Sequence, residues 1–152
     1  MSLHTALVKI GEKKISSEKA KNFIFAEKNG AETIFVGRVR SNNSGKKVNA
    51  VTYDAHDKAV IKSFQSICIN AKNTFDKNAN IFLEHAKGYV PVGEISILIA
   101  VGSGHRDEAF KICRYILEEI KHQSPIWKKE HYAEGKEEWL PGHSLRPKED
   151  IK

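Results

Sequence analysis

From Glu94 to Val101 the chain alternates Ile95, Ile97, Ile99 and Val101 with Ser96, Leu98 and Ala100. Both sets are largely apolar, so the segment reads as a strand covered on both faces. A glycine turn then leads into a helix, in which Ala109, Phe110, Cys113, Ile116, Leu117 and Ile120 recur at helical spacing. Ser103 is placed to cap that helix, and Asp107 and Glu108 suit its first turn. Two further helices are expected. One is capped by Ser16 or Ser17, follows Ala20, Phe23, Ile24 and Glu27, and stops at Asn29-Gly30. The other opens at Asp57, carries Val60, Phe64, Ile67, Cys68, Ala71 and Phe75 on one stripe, and closes at Asp76-Lys77-Asn78.

Strand patterns occupy Thr5–Ile10, Thr33–Val36, Val48–Tyr53 and Asn80–His85. The second and third flank a polar, glycine-bearing stretch and are expected to form a hairpin. Gly88–Gly93 reads as a turn-rich link, and a short hairpin is expected around Glu134-Gly135-Lys136. Hairpins with helices covering them predict an α+β fold, a two-layer antiparallel sheet with helices packed on one face. The expected organisation is a single domain over residues 1–140 and a polar C-terminal tail over 141–152.

With 152 residues, one domain buries about two thirds of its unfolded surface and needs no covalent staples. Cys68 and Cys113 each fall on an apolar helical face, so a core role is expected and a disulfide is not. No signal peptide or transmembrane-length apolar run is evident, and a cytoplasmic location without membrane association is expected. The formal charge of +6 points to an anionic partner without choosing among nucleotides, phosphorylated metabolites, acidic proteins and nucleic acid. Several chemistries lose ground. Asp107 stands where a dinucleotide fingerprint needs its third glycine, and no Walker motif or Gly-x-Ser-x-Gly elbow occurs. The histidines lack metal-binding spacing and no Cys-x-x-Cys exists, so neither a metal nor another cofactor is expected.

Amines, guanidiniums and imidazoles remain, gathered in three turns. In Lys121-His122-Gln123-Ser124-Pro125-Ile126-Trp127-Lys128-Lys129-Glu130, Pro125 forbids continuation of the helix, so Lys121 and Lys128 are presented from either side of a break. The competing reading is a solvated, dipole-complementing helix end. At the other end of the helix, His105 and Arg106 sit where the dipole repels cations unless an anion is bound there. The alternative is a turn histidine beside an arginine that faces water. Arg38 and Arg40, two apart around Val39, would share a face and suit a phosphate or carboxylate, or form an exposed strand end.

Four blocks together resemble the large, catalytic subunit of molybdopterin synthase, the MoaE family. They are Phe35-Val36-Gly37-Arg38-Val39-Arg40 with its Asn-rich turn, Gly93-Glu94, Ser103-Gly104-His105-Arg106, and Pro125-Ile126-Trp127-Lys128-Lys129-Glu130. They stand in the family's order and cover roughly Ile34 to Trp139. The resemblance implies an α/β-hammerhead-like fold and a sulfurtransferase of molybdenum cofactor biosynthesis. Such an enzyme transfers two sulfurs to cyclic pyranopterin monophosphate (precursor Z), forming the dithiolene. The sulfur comes from the C-terminal Gly-Gly thiocarboxylate of a small ubiquitin-like subunit, within a heterotetramer centred on a dimer of the large subunit. By resemblance, Lys121 and Lys128 match the active-site lysines. Arg38, Val39 and Arg40 match a substrate-binding turn, and His105 and Arg106 the contacts to the anionic pterin. Lys129 and Glu130 complete the binding segment, with Glu130 orienting Lys128 or, alternatively, pairing with Lys129 at the surface.

Three positions depart from the family pattern. Ala86 stands where an arginine is common, with Lys87, His143 or Arg146 as candidate replacements; His143 stands where a basic residue is expected; and His56 replaces an aromatic. Two other classes were weighed. A small basic RNA-binding module would use Arg38, Arg40, Trp127, Lys128 and Lys129, but no aromatic ribonucleoprotein signature is present and acidic residues are interspersed with the basic ones. A non-catalytic scaffold for the small subunit would not need both lysines.

Overall fold

A computed structural model describes residues 2–140; the tail from 141, with His143 and Arg146, lies outside the described residues. The order is β1 (Leu3–Lys9), α1 (Ser17–Ile24), β2 (Ala31–Arg38), β3 (Asn42–Asn43), β4 (Lys46–Ala55), α2 (Asp57–Thr74), β5 (Asn80–Pro91), β6 (Ile95–Ser103), α3 (Arg106–Gln123), β7 (Ile126–Tyr132) and β8 (Glu137–Trp139). The strands form one sheet in the order β2-β6-β5-β4-β7-β8, with β1 parallel to β5 and β3 beside β4. The α+β class and the predominantly antiparallel sheet follow the sequence pattern; the parallel pair is additional.

The sheet turns on β5. Residues Asn80–His85 pair with β6, Ile81–Lys87 also run beside β1, and Gly88–Pro91 pair with β4 instead. Gly88 sits at the changeover with φ of 82°, a backbone conformation that costs glycine no Cβ clash. The expected link at Gly88–Gly93 is therefore mostly strand, because β4 supplies new partners where β6 departs. Side chains alternate across the first part of β5. Phe82 and Glu84 meet Phe23 and Lys19 of α1, whereas His85 meets Phe64 of α2. The two long helices thus pack together on one face and the short α1 covers the other. This explains why Asn80–Ala86 is buried without interruption.

Four expectations of detail change. The Thr33–Val36 and Val48–Tyr53 strands do not form a hairpin: β2 pairs with β6, and β4 with β5 and β7. The connecting loop closes its own small hairpin, Asn42–Asn43 on Lys46–Lys47, through Ser44 and Gly45 with φ of 52° and 82°. Next, α1 ends at Ile24 rather than Asn29-Gly30. The Ile24 carbonyl accepts from the side-chain amides of Asn29 and Asn80, which replaces a further helical turn. A Cβ on Gly102 would lie 2.6 Å from that same oxygen, so only glycine lets β6 pass this helix end. Ser103 does not cap α3. It ends β6, its hydroxyl donates to the Asp76 carboxylate, and His105 takes the cap position without a side-chain bond. Finally, Phe110 is 63% exposed, and Ile112 takes its place in the buried stripe.

Candidate functional site

Ser124 leaves the helical conformation ahead of Pro125, and β7 starts at Ile126. The break expected at Pro125 therefore separates the last turn of α3, which carries Lys121, from the strand that carries Lys128. β7 then alternates. Ile126, Lys128, Glu130 and Tyr132 share one face, the more buried, and Trp127, Lys129 and His131 face the other way.

On the inner face, Lys128 stands directly across from Tyr53, and Glu130 across from Val51. These residues, with Arg38, Arg40 and Asn43, line a small polar cavity of about 50 Å³. Glu130 is buried at 3% exposure, accepting from the Asn43 amide at 2.5 Å and from the Tyr132 hydroxyl at 3.2 Å. Burial lowers the proton affinity of the half-buried Lys128. Glu130 opposes that effect, and Arg40 and Lys121 reinforce it. Arg40 and Lys121 are therefore electrostatic neighbours of Lys128. Arg38 donates to the Gly93 carbonyl at 2.7 Å. Val39 buries its side chain in the core and ties the turn to Gly93 and Glu94 through its backbone.

The remaining expected residues lie elsewhere. Lys129 is on the outer face, 3.3 Å from Glu137 and 5.1 Å from the Trp139 ring centroid. Its partner is thus Glu137 and not Glu130. His105 and Arg106 are exposed at the start of α3, roughly 22 Å along the helix axis from Lys121 at 1.5 Å per residue. Lys87 pairs with Asp57 at 2.7 Å, and Ala86 is buried in the core. Both thiols are buried and pushed up, Cys68 to about 12 and Cys113 to about 11, so neither is a thiolate at neutral pH.

Asn43, Tyr53 and His85 had no reading as site residues. An Asx turn and an aromatic on an alternating strand look structural in sequence, and only the cross-strand register places them here. A larger open cleft of about 580 Å³ lies between Ile10–Lys14 and Tyr89. Lys13 and Lys14 there are offset by Glu12 and Glu94, so the convergent cations are in the smaller cavity.

The fold and cavity define a class: an α+β protein in which the end of β2, the turn after it and β7 bring Arg38, Arg40, Lys128 and Glu130 to one small polar cavity. The comparisons give the family. The model described as MoaE protein matches residues 10–123. The molybdopterin synthase catalytic subunit of Synechococcus elongatus is 40% identical over 126 residues, 83% of this chain and 76% of that one. The crystal structure of molybdopterin synthase from Staphylococcus aureus superposes with a TM-score of 0.82 at 29% identity, covering 90% of this chain and 96% of that one. A complex of subunits 1 and 2 of molybdopterin-converting factor from Helicobacter pylori shares the fold, with a TM-score of 0.74 at 20% identity, covering 95% of this chain and 94% of that one. The chain belongs to the MoaE family, that of the molybdopterin synthase catalytic subunit.

Proposed function

We propose that this chain is the catalytic subunit of a molybdopterin synthase, a cytoplasmic sulfurtransferase. It moves two sulfurs from the thiocarboxylated C-terminus of a small ubiquitin-like subunit to cyclic pyranopterin monophosphate. The observation that carries the reading is the grouping of Arg40 and Lys128 at a cavity that also holds the buried Glu130, with Lys121 an electrostatic neighbour of Lys128. Both reactants are anions. Cations fixed in a partly desolvated cavity hold them together and stabilise the oxyanion formed as the acyl carbon gives up its sulfur. Lowered proton affinity also makes Lys128 a readier proton donor than an exposed lysine. Since both cysteines are buried, sulfur supplied by a partner fits the chain better than a persulfide of its own.

His105 and Arg106 are too far along α3 to reach the cavity of their own chain. A dimer that brings one copy's α3 N-terminus to the other copy's lysines supplies them, in keeping with an isologous assembly. An RNA-binding surface draws less support. Lys128 and Lys129 face opposite sides of β7, which divides the required cationic and aromatic platform. Mass spectrometry of the pterin after incubation with thiocarboxylated small subunit tests the proposal. Gain of two sulfurs supports it; a confirmed complex with no sulfur gain leaves a scaffold.

A further inference from the structure

Tyr53 is the residue at the cavity for which neither the sequence motifs nor the lysine chemistry gives a role. It is 6% exposed, stands directly opposite Lys128 on one side, and faces Gly88 on the other. Directly opposed residues of an antiparallel pair bring their Cβ atoms to roughly 5 Å, so the Tyr53 ring and the Lys128 stem are neighbours on the same face. Gly88 contributes no side chain, and His85, three residues earlier on β5, fills that space. The imidazole meets the phenol ring edge-on, with centroids 4.9 Å apart and planes at 87°. His85 is itself fixed, with Nδ1 2.7 Å from the Ala86 carbonyl and Phe64 behind it at 6.4 Å. The Ser96 hydroxyl, beside the far end of Tyr53, donates to the Gly37 carbonyl at 3.2 Å.

We infer that Tyr53, clamped by His85, is the positioning residue of the Lys128 amine: its ring walls the lysine stem from water and confines the amine to the mouth of the cavity. The groups that face Lys128 are Glu130 on its own strand, Arg38 at the end of β2, Arg40 from the turn that follows, Lys121 from α3, Tyr53 from β4 and His85 from β5. Tyr53 and His85 are the two ring-bearing members of that set. The remaining members carry charges, which set the balance of attraction and repulsion but do not seal the stem. Burial, the largest influence on Lys128, is thus the influence that Tyr53 controls. The consequence for turnover rests on the synthase reading; the placement of the amine does not.

The test is an NMR titration of the Lys128 side-chain nitrogen in the folded, substrate-free protein. In Tyr53→Leu, water admitted to the stem raises the Lys128 titration by about one pH unit, a tenfold smaller neutral fraction at fixed pH. In Tyr53→Phe the ring remains and the titration stays at the wild-type position. The acidic limb of the pH–rate profile for sulfur transfer moves in Tyr53→Leu by the same amount. If Tyr53→Leu does not fold, His85→Leu, which releases the clamp, moves the titration in the same direction. An unshifted Lys128 titration in a folded Tyr53→Leu or His85→Leu variant overturns the inference. A shifted titration in a protein whose wild type transfers no sulfur retains the positioning role and removes the synthase reading, so the two failures are distinct.

Discussion

Lys128 and Lys129 are adjacent in sequence and point to opposite sides of β7, the first into the cavity with Glu130 and Arg40, the second onto Glu137 and the Trp139 ring. A run that reads as one cationic patch is thus two unrelated environments. Lys128→Ala is expected to lower kcat/KM for sulfur transfer by about a hundredfold or more, within the range attributed to a proton-transferring or charge-stabilising group. Lys129→Ala, which breaks an exposed ion pair, is expected to stay within about tenfold of wild type. Parallel steady-state assays decide it, and equal losses would contradict the division of the strand.

Glu130 is held by two donors inside the sheet. Glu130→Ala orphans Asn43 and Tyr132 and is expected to cost about 1–3 kcal/mol of stability in urea denaturation. Glu130→Gln keeps an acceptor oxygen and is expected to lose less stability while removing the countercharge of Lys128. A Gln variant as unstable as the Ala variant would mean that the hydrogen bonds are not what holds this residue.

His85 gives a pH dependence of definite sign. Burial pushes it from 6.5 to about 4, so between those values the unfolded chain binds a proton that the folded chain refuses. Stability therefore falls as pH drops from about 6.5 toward 4, by roughly 3 kcal/mol from this residue alone. Denaturation midpoints compared across that window in wild type and His85→Phe should converge toward low pH. A constant difference would show that the imidazole charges freely in the fold.

Lys121→Arg preserves charge and removes a readily exchangeable proton. If Lys121 is a proton shuttle, turnover is expected to drop about a hundredfold with little change in KM; if it is a fixed cation, most turnover remains. Single-turnover kinetics separates the two roles.

The distance between Arg106 and Lys121 along α3 allows a complementation test. Mixing Lys128→Ala with Arg106→Ala chains, each inactive alone, is expected to restore about a quarter of wild-type activity, because half of random dimers are mixed and each of these has one intact site. No recovery in verified mixed dimers would place both groups within one chain's site.

What the sequence made legible followed from local periodicity. The alternation at Ile95–Val101 and the stripes through Val60–Ala71 and Ala109–Ile120 identify β6, α2 and α3, because burial of a strand or helix face is written at fixed spacing. The rest was decided by pairing across long separations. Nothing near Thr33 shows that β2 will choose β6 over β4, and nothing near Gly88 shows that its strand will change neighbours rather than turn. The lysines and Arg40 were legible because Pro125 and the polar turn mark them as interruptions. Tyr53, Asn43 and His85 looked like ordinary strand and turn residues, and their position follows only from the register of β4 against β5 and β7. Phe110 shows the reverse error, an apolar residue on the helical stripe that the actual packing angle of α3 leaves in solvent.

The sharing of β5 between two sets of strands also divides the sheet into two ladders. Its first half completes the ladder with β1 and β6 beneath the helices, and its last four residues pair with β4, whose other neighbour is β7. The lysine-bearing strand is therefore joined to the helix-covered half of the sheet only through β4. Amide exchange should find the β4–β7 ladder opening before the helix-covered β5–β6 ladder, so that the pocket can come apart while the core stays closed.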